Sequence, residues 1–438
     1  MARPARALQP AGANSRLAVG FVGVTGKGSS NLDQVAGHDA TEVVALCDID
    51  AGKLAEGAGK HPDAKQFADY REMFEAMGDK LDAVVVSTPD HMHAAPSMEA
   101  LNRGMHVYCE KPLTHDIYEA RQLAKIAGEN SSLSTQMGTQ GSSRVNKRQG
   151  MALLSDPELR EQTVGRVRAI YGWSDRPAGW WPQGVDKPDR SDPVPNGVSW
   201  DLWLGTAPKR EFVEGMYHPF NWRGAFDFGC GALGDMACHI LDVPYYGLDL
   251  GYATSVVCHA ETGTDDRFPL RQHVVTTFPG SDASDGRAIP IYWSDGGVIP
   301  HHRAIRVAPD YDVTTNATVI VGDKGSLTVA HAEGEPTLFV EQDGNFVQKD
   351  ITDLLPKFDR LNHYHHWVDV ALGRDKQTMC PFPKSGPMTE ALCLGSISAR
   401  FPHETLMWNA DSMKFADKPE ADKLVKRDYR EGFKVKNL

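Results

Sequence analysis

The sequence predicts an α/β protein in two parts. A parallel sheet covered on both faces is expected over residues 15–143. An α/β domain with a large open, mainly antiparallel sheet is expected over 144–438. Three observations predict this. Apolar runs alternate with helical patterns four times before residue 143. After it, apolar and polar positions alternate along a series of short segments. The chain of 438 residues is also too long for one ordinary core.

The elements follow in order. LAVGFVGV from Leu17 is an apolar strand, followed by a glycine-rich turn and the helical pattern SSNLDQVAGH. EVVALCDID is a second strand, ending in acids, and REMFEAMG a short helix. LDAVVVSTPD is a third strand and HAAPSMEALNRG its helix; MHVYCEKP and DIYEARQLAKIAGEN repeat the pattern. Continuous apolar strands separated by helices indicate a parallel sheet. Beyond residue 143, a helix RVNKRQGMALLSD precedes the alternating VGRVRAIYGWSD. A stretch rich in Trp, Pro and Gly follows, then strands in TSVVCHAE, RQHVVTTF, IPIYWSD, TNATVIVG, GSLTVA and TLFVEQ. TEALCLGSISARF is a last helix.

Composition narrows the function. Apolar residues at 41% and charged residues at 24% place the chain among globular proteins. The net charge is −12, and Lys and Arg form no block, which argues against nucleic acid as a partner. The carboxylate excess also argues weakly against a highly anionic substrate. No window approaches about eighteen uninterrupted apolar residues, so no membrane span is expected. MARPARALQPAGANSR is basic but lacks an apolar centre and is not a signal peptide as written. The expected location is cytoplasmic, with periplasmic the alternative if an export signal was removed. The seven cysteines are odd in number and scattered without a CxxC, which suggests reduced, buried thiols rather than a disulfide framework.

The turn GVTGKGSSN, residues 23–31, is an imperfect GxGxxG. Gly23 and Gly28 fit, Thr25 replaces the middle glycine, and Gly26 is extra, followed by Lys27. Glycines there let the backbone approach a pyrophosphate, which the next helix N-terminus binds. Asp48 ends the second strand, twenty positions beyond Gly28. A carboxylate there accepts hydrogen bonds from a ribose 2′-hydroxyl and repels a 2′-phosphate, which favours NAD over NADP. Asp48 could instead be a helix cap, with Asp50 its substitute.

GCGALGDMACHILD, residues 229–242, carries a second signal. In a helix Asp235 and His239 are i and i+4 and share a face. The apolar flanks make that helix buried, so the pair needs a reason. Acid–base work is one: a histidine near its ordinary pKa of ~6.5 accepts a hydroxyl proton at neutral pH. A metal site completed from His301, His302, His363, His365 or His366 is another, but no ligand spacing is diagnostic, and no metal is expected.

CEKPLTHD at 109–116 fixes a lysine at the end of an apolar strand. Proline after it restricts its backbone to extended conformations. With EKP and GDMxCHxxD together, the sequence resembles the glucose–fructose oxidoreductase/inositol dehydrogenase/MocA (Gfo/Idh/MocA) family. The resemblance extends to TPDHMH at 88–93, DRPAGWWPQG, SWDLWLG and NWRGAFDFGCGALGD.

The resemblance implies a Rossmann domain, then an α/β domain whose open sheet packs in homodimers or homotetramers. It implies that Lys111 reaches the carbinol oxygen and nicotinamide ribose, and that Asp235 and His239 are its catalytic partners. Thr88, Pro89, His93 and Glu110 fall on the cofactor side. The implied reaction is NAD-dependent oxidation, or the reverse reduction, at a secondary hydroxyl of a neutral sugar, polyol or glycoside. Lys111 and His239 transfer the proton, and Asp235 orients His239. Trp180, Trp181, Tyr217 and Trp222 could face sugar C–H groups, and Arg223 could bond a hydroxyl. Core packing is the alternative for each aromatic residue. An NAD-dependent glycosidase working through a transient 3-keto sugar is the rival with the same site. A non-catalytic sensor on the same fold is the rival of another class, disfavoured by the presence of both Lys111 and His239.

Overall fold

A computed structural model describes residues 16–261 and 264–438. The basic amino-terminal tract considered as an export signal lies, but for Arg16, outside the described residues.

The first sheet holds β1 (Leu17–Val22), β2 (Thr41–Cys47), β3 (Lys65–Phe67), β4 (Ala83–Val86), β5 (His106–Cys109) and β6 (Thr135–Met137), in the order β3-β2-β1-β4-β5-β6. All its pairings are parallel. β4 and β5 are buried at every position, as strands covered on both faces must be. The strand order reverses between β1 and β4, and a crevice opens beyond their carboxyl ends.

β3 and β6 have no counterpart among the expected elements. Each is three residues long, KQF and TQM, too short and polar to show a period. The helix Ala51–Lys60 was also not expected. Its buried side is only Leu54, Gly57 and Ala58, a weak apolar signal.

The second sheet holds β7 (Val167–Trp173), β8 (Ser255–Ala260), β9 (Gln272–Phe278), β10 (Ile289–Ser294), β11 (Ala317–Gly322), β12 (Ser326–Ala330), β13 (Thr337–Gln342), β14 (Asn345–Lys349), β15 (Leu406–Asn409) and β16 (Lys414–Phe415). Their order is β14-β13-β12-β11-β7-β10-β9-β8-β15-β16. β7 and β10 run parallel and the other pairings are antiparallel. The mainly antiparallel sheet thus stands as expected. β9 alternates buried and half-buried along its length, the mark of a sheet with one packed face.

The two regions share their packing. The helix Phe382–Ser398 lies against both the helix Ile117–Glu129 and β8 and β9. Arg121 and Glu390 tie the two helices at 2.7 Å. The helix His363–Ala371, begun by an Asn362 cap, returns to the first sheet. Its Tyr364, Trp367 and Val368 pack with Leu17, Val19, Phe21 and Leu32. Trp367 is fully buried there. Trp367→Ala is expected to cost about 3–5 kcal/mol, read as a lowered urea midpoint and early loss of NAD binding, although the residue lies far along the chain from β1.

Candidate active site

The glycine turn follows β1 directly. Gly23 has φ +83°, and a Cβ on it would stand 2.6 Å from the Ser87 carbonyl oxygen. The second positive φ, +53°, falls at Gly26, where a Cβ would meet nothing. Left-handed backbone is therefore needed at 26 and not at 25, so threonine is tolerated at the position where the motif has glycine. Gly28 serves packing: a Cβ there would stand 2.2 Å from the Gly23 carbonyl oxygen. Gly26 begins the helix Lys27–Ala36, and no side chain caps its first N–H groups. Uncapped N–H groups and the helix dipole suit an anion.

Asp48 stands just past β2 and is buried. Its carboxylate accepts from the Val24 N–H at 2.9 Å and the Asp50 N–H at 3.0 Å, which fixes the turn against the second strand. Burial raises its pKa, and those N–H groups oppose the rise. The helix cap is Asp50, which accepts from Gly52 and Lys53.

These groups line a cleft of about 380 Å³. Gly23, Thr25, Gly26, Lys27, Asp48, Thr88, Pro89, His93, Glu110 and Lys111 all face it; Gly28 lies beneath. The second region closes the cleft with Trp203, His218, Phe220, Trp222 and Arg223. Its long loop is held to the end of β2, with Ser199 N–H donating to Ile49 and Ala51 N–H to Gly197, both at 2.9 Å. The residues fit a dinucleotide. The helix start offers free donors, Asp48 offers a carboxylate, and the buried Thr88 hydroxyl has no partner among the described residues. Lys27 donates to the Tyr364 hydroxyl at 2.7 Å, so the returning helix positions a cation at the turn.

The EKP segment sends its two charges to opposite sides. Glu110 accepts from Asn31 at 2.9 Å and Gln140 at 3.1 Å. Lys111 crosses to the second region and donates to the Asp235 carbonyl at 2.8 Å and its carboxylate at 2.9 Å. The His93 ring sits between the carbonyls of Pro112 at 2.7 Å and Thr88 at 2.8 Å, joining the loop after β4 to the lysine's turn.

Asp235 lies in a single π turn, Leu233–Ala237, a feature frequent at functional sites. Its carboxylate also meets Arg176 at 2.6 Å and Arg223 at 3.0 Å. Burial by itself would raise the Asp235 pKa, but Lys111, Arg223 and Arg176 overcome it and hold the carboxyl well below the usual range. Burial would likewise lower the Lys111 pKa, but Asp235 outweighs it and the ammonium is held charged. Arg176 had no signal of its own in the sequence; it sits in an irregular loop without periodicity.

The expected Asp235–His239 pairing is corrected. Both carboxylate oxygens of Asp235 are taken by Lys111, Arg223 and Arg176. The His239 ring lies 5.6 Å from that of His331, outside the lining of the cleft, and its buried Nδ1 has no partner among the described residues. Nor does His239 keep an ordinary pKa: burial first, then the charge of Lys111, push it well below 6.5. It is a neutral imidazole at neutral pH.

The aromatic expectations divide. Tyr217 is fully buried and packs with Trp203 and Phe228; its hydroxyl accepts from Arg210. Trp181 is buried, with its indole N–H donating to Gln183. Both are therefore core residues, because each polar end is satisfied inside. Trp180 is 49% exposed and lies 4.0 Å from the Arg176 guanidinium. Trp222 and Arg223 face the cleft, with the guanidinium 4.3 Å from the indole. Among the described residues, no group of three or more His, Cys, Asp or Glu could hold a metal ion. The seven cysteines are free and buried. No described helix is long and apolar enough to cross a membrane.

Residues 17–138 match the oxidoreductase family with an NAD-binding Rossmann fold, and residues 178–278 match that family's C-terminal alpha/beta domain. The chain belongs to the Gfo/Idh/MocA family. Inositol 2-dehydrogenase of Salmonella typhimurium is 31% identical over 125 residues, 28% of this chain and 36% of that protein. The scyllo-inositol 2-dehydrogenase (NADP(+)) of Bacillus subtilis is 31% identical over 99 residues, 23% of this chain and 30% of that protein. The match thus spans about a third of the length of these curated relatives.

Among solved structures, aldose-aldose oxidoreductase from Caulobacter crescentus aligns with a TM-score of 0.57 and 14% identity, over 90% of this chain and 99% of that one. Scyllo-inositol dehydrogenase from Lactobacillus casei, with bound NAD(H) and scyllo-inositol, aligns with a TM-score of 0.55 and 15% identity, over 90% and 99%. At such identities the likeness is one of fold.

Replacing Asp235 with Asn leaves three cations around a neutral group and is expected to cost about 3 kcal/mol at pH 7. The carboxyl is depressed in the folded state, so its stabilisation is complete above the unfolded pKa and declines as pH falls toward the folded value. The stability gap between wild type and Asp235→Asn should therefore narrow below pH ~4, measured by thermal unfolding across pH.

Proposed function

We propose that this protein is an NAD-dependent oxidoreductase that interconverts a secondary hydroxyl and a ketone on a sugar or polyol. The observation that carries this reading is the reach of Lys111 from the nucleotide-binding region to Asp235 of the second region, at the wall of the dinucleotide cleft. Relatives that oxidise inositols favour a polyhydroxylated substrate. Asp48 at the end of β2 favours NAD over NADP.

NAD, which the glycine turn, Asp48 and the Thr88–Pro89 loop would hold, would supply the hydride acceptor. Lys111, held charged by Asp235, donates a hydrogen bond to the carbinol oxygen and stabilises the alkoxide as it forms. Its three N–H donors allow this while two remain on Asp235. Asp235 acts by positioning Lys111, and Arg176 and Arg223 fix Asp235. His239 does not line the dinucleotide cleft but feels the Lys111 charge; it is the proposed proton acceptor beyond the lysine, neutral because of burial and the neighbouring ammonium. Trp203, Phe220 and Trp222 line the cleft from the second region and give it an apolar side.

Three measurements test this. Lys111→Ala should lower kcat/KM by about 10²–10⁴ and leave NADH affinity within about threefold, read by NADH formation and fluorescence titration. Unchanged turnover rejects the assignment. The kcat/KM profile reports the free enzyme. A base depressed below 6.5 keeps activity level through pH 6.5 and loses it only at lower pH. An acid limb at or above 6.5 removes His239 from the role. Product analysis should show NADH without aglycone release from glycosides; aglycone release without net NADH would transfer the site to glycoside cleavage.

A further inference from the structure

We propose that the substrate of this cleft carries a carboxylate, so that it is a sugar acid and not a neutral sugar or polyol. The inference rests on the oxidoreductase reading and specifies its substrate.

The ground is a local excess of positive charge with unspent donors. One carboxylate, Asp235, receives Lys111 at 2.9 Å, Arg176 at 2.6 Å and Arg223 at 3.0 Å. Asp235 neutralises one of the three. A second carboxylate, Asp90, feels Lys111 and Arg223; it is buried and accepts from the Cys230 N–H at 3.1 Å. Burial raises its pKa, which weakens its share of the compensation. His239 is pushed toward neutrality by burial and adds no fixed charge. The cluster of Lys111, Arg176, Arg223, Asp235 and Asp90 is therefore left with one to two positive charges; Asp48, Asp69 and Glu110 also line the cleft but are engaged by Val24, Arg71 and Asn31.

The guanidinium groups are not used up. Arg176 spends one terminal nitrogen on Asp235. Its Nε and its other terminal nitrogen have no partner among the described residues. Arg223 spends Nε on Asp235 and one terminal nitrogen on the Phe220 carbonyl, which leaves the other open. Both side chains keep some exposure, 24% and 17%; Arg223 lines the cleft, and Arg176 joins it through their shared partner Asp235. Both are held flat by rings: Trp180 lies 4.0 Å from Arg176, and Phe220 and Trp222 lie 4.1 and 4.3 Å from Arg223.

A planar, pre-oriented fork with free N–H groups matches a carboxylate. A neutral polyol closing this wall from water would leave the excess charge without a counterion, which is costly when buried. The net charge of −12 does not oppose this. Surface charges are screened beyond about 8 Å at physiological salt, and the substrate meets the wall, not the surface average.

The test uses the full chain saturated with NAD for turnover and with NADH for binding by fluorescence quenching. The panel pairs glucuronate with its methyl ester and with glucose, galacturonate with galactose, and gluconate with glucitol; glucose 6-phosphate is added. At least one acid should exceed its neutral partner by about 100-fold in kcat/KM or Kd. Raising NaCl to about 0.5 M should raise the KM of the acid and leave that of the neutral partner. Arg176→Gln should shrink the acid-to-neutral ratio by about tenfold or more with NADH affinity retained; Arg223→Gln gives the same reading if the first variant does not fold.

Equal or better use of a neutral member overturns the proposal. So does preference for glucose 6-phosphate, or failure of every acid to bind NADH-loaded protein at about 10 mM. Failure of NADH itself to bind is a different result, and it removes the oxidoreductase reading.

Discussion

The ion pair of Lys111 with Asp235 is the constraint on which the rest depends. Its two halves are 124 residues apart, one at the end of β5 and the other on a turn of the second region. An ammonium and a carboxylate are stable there only as partners, since burying either alone costs several kcal/mol. The pair therefore demands that two sheets be docked with little tolerance. The helix Phe382–Ser398, touching both regions, and the Arg121–Glu390 pair supply that docking. A second lysine pins the same segment from its other end. Lys147, fully buried, donates to the His239 carbonyl and to Asp242, both at 2.9 Å. The stretch from Asp235 to Asp242 is thus clamped at both ends by buried ammonium groups. A reacting centre benefits from such rigidity, because small displacements of a donor weaken the transition-state contact steeply.

Charge acts on two scales in this molecule. The chain as a whole is strongly acidic, while the cluster around Asp235 gathers three cations. The two do not conflict, because the long-range field is screened and the short-range field is not. A composition argument about substrates speaks only to the first scale. Desolvation connects the scales inside the site. It pushes His239 toward neutrality and would do the same to Lys111 had Asp235 not been placed against it. One environment thus holds a charged donor and an uncharged imidazole on neighbouring elements.

Legibility followed length and period. β1, β2, β4 and β5, with four to seven apolar-rich residues each, stood out; β3 and β6, with three, did not. The strands β8, β9 and β10 were legible because one packed face imprints alternation on them, and β11 because it is an apolar run buried throughout. The helix His363–Ala371 was hidden, since its sequence HYHHWVDVA mixes buried aromatics with histidines. At the site, the glycine turn, Asp48 and the EKP lysine were legible because each has a fixed place relative to a strand end. Arg176 was not, and Tyr217 and Trp181 could not be told from ligand-facing rings. An aromatic residue in a loop carries no pattern that reveals which side of it is filled.

The sequence by itself determined which segments form strands, where the glycine turn must bend, and that a lysine is fixed at a strand end. These are local properties, set by side-chain periodicity and backbone sterics within a few residues. The tertiary structure decided what that lysine touches, that Asp235 serves three cations in place of a histidine, and that His239 is neutral. Those outcomes depend on how two sheets meet, and on the water excluded when they do. Neither is written in any short stretch of the chain.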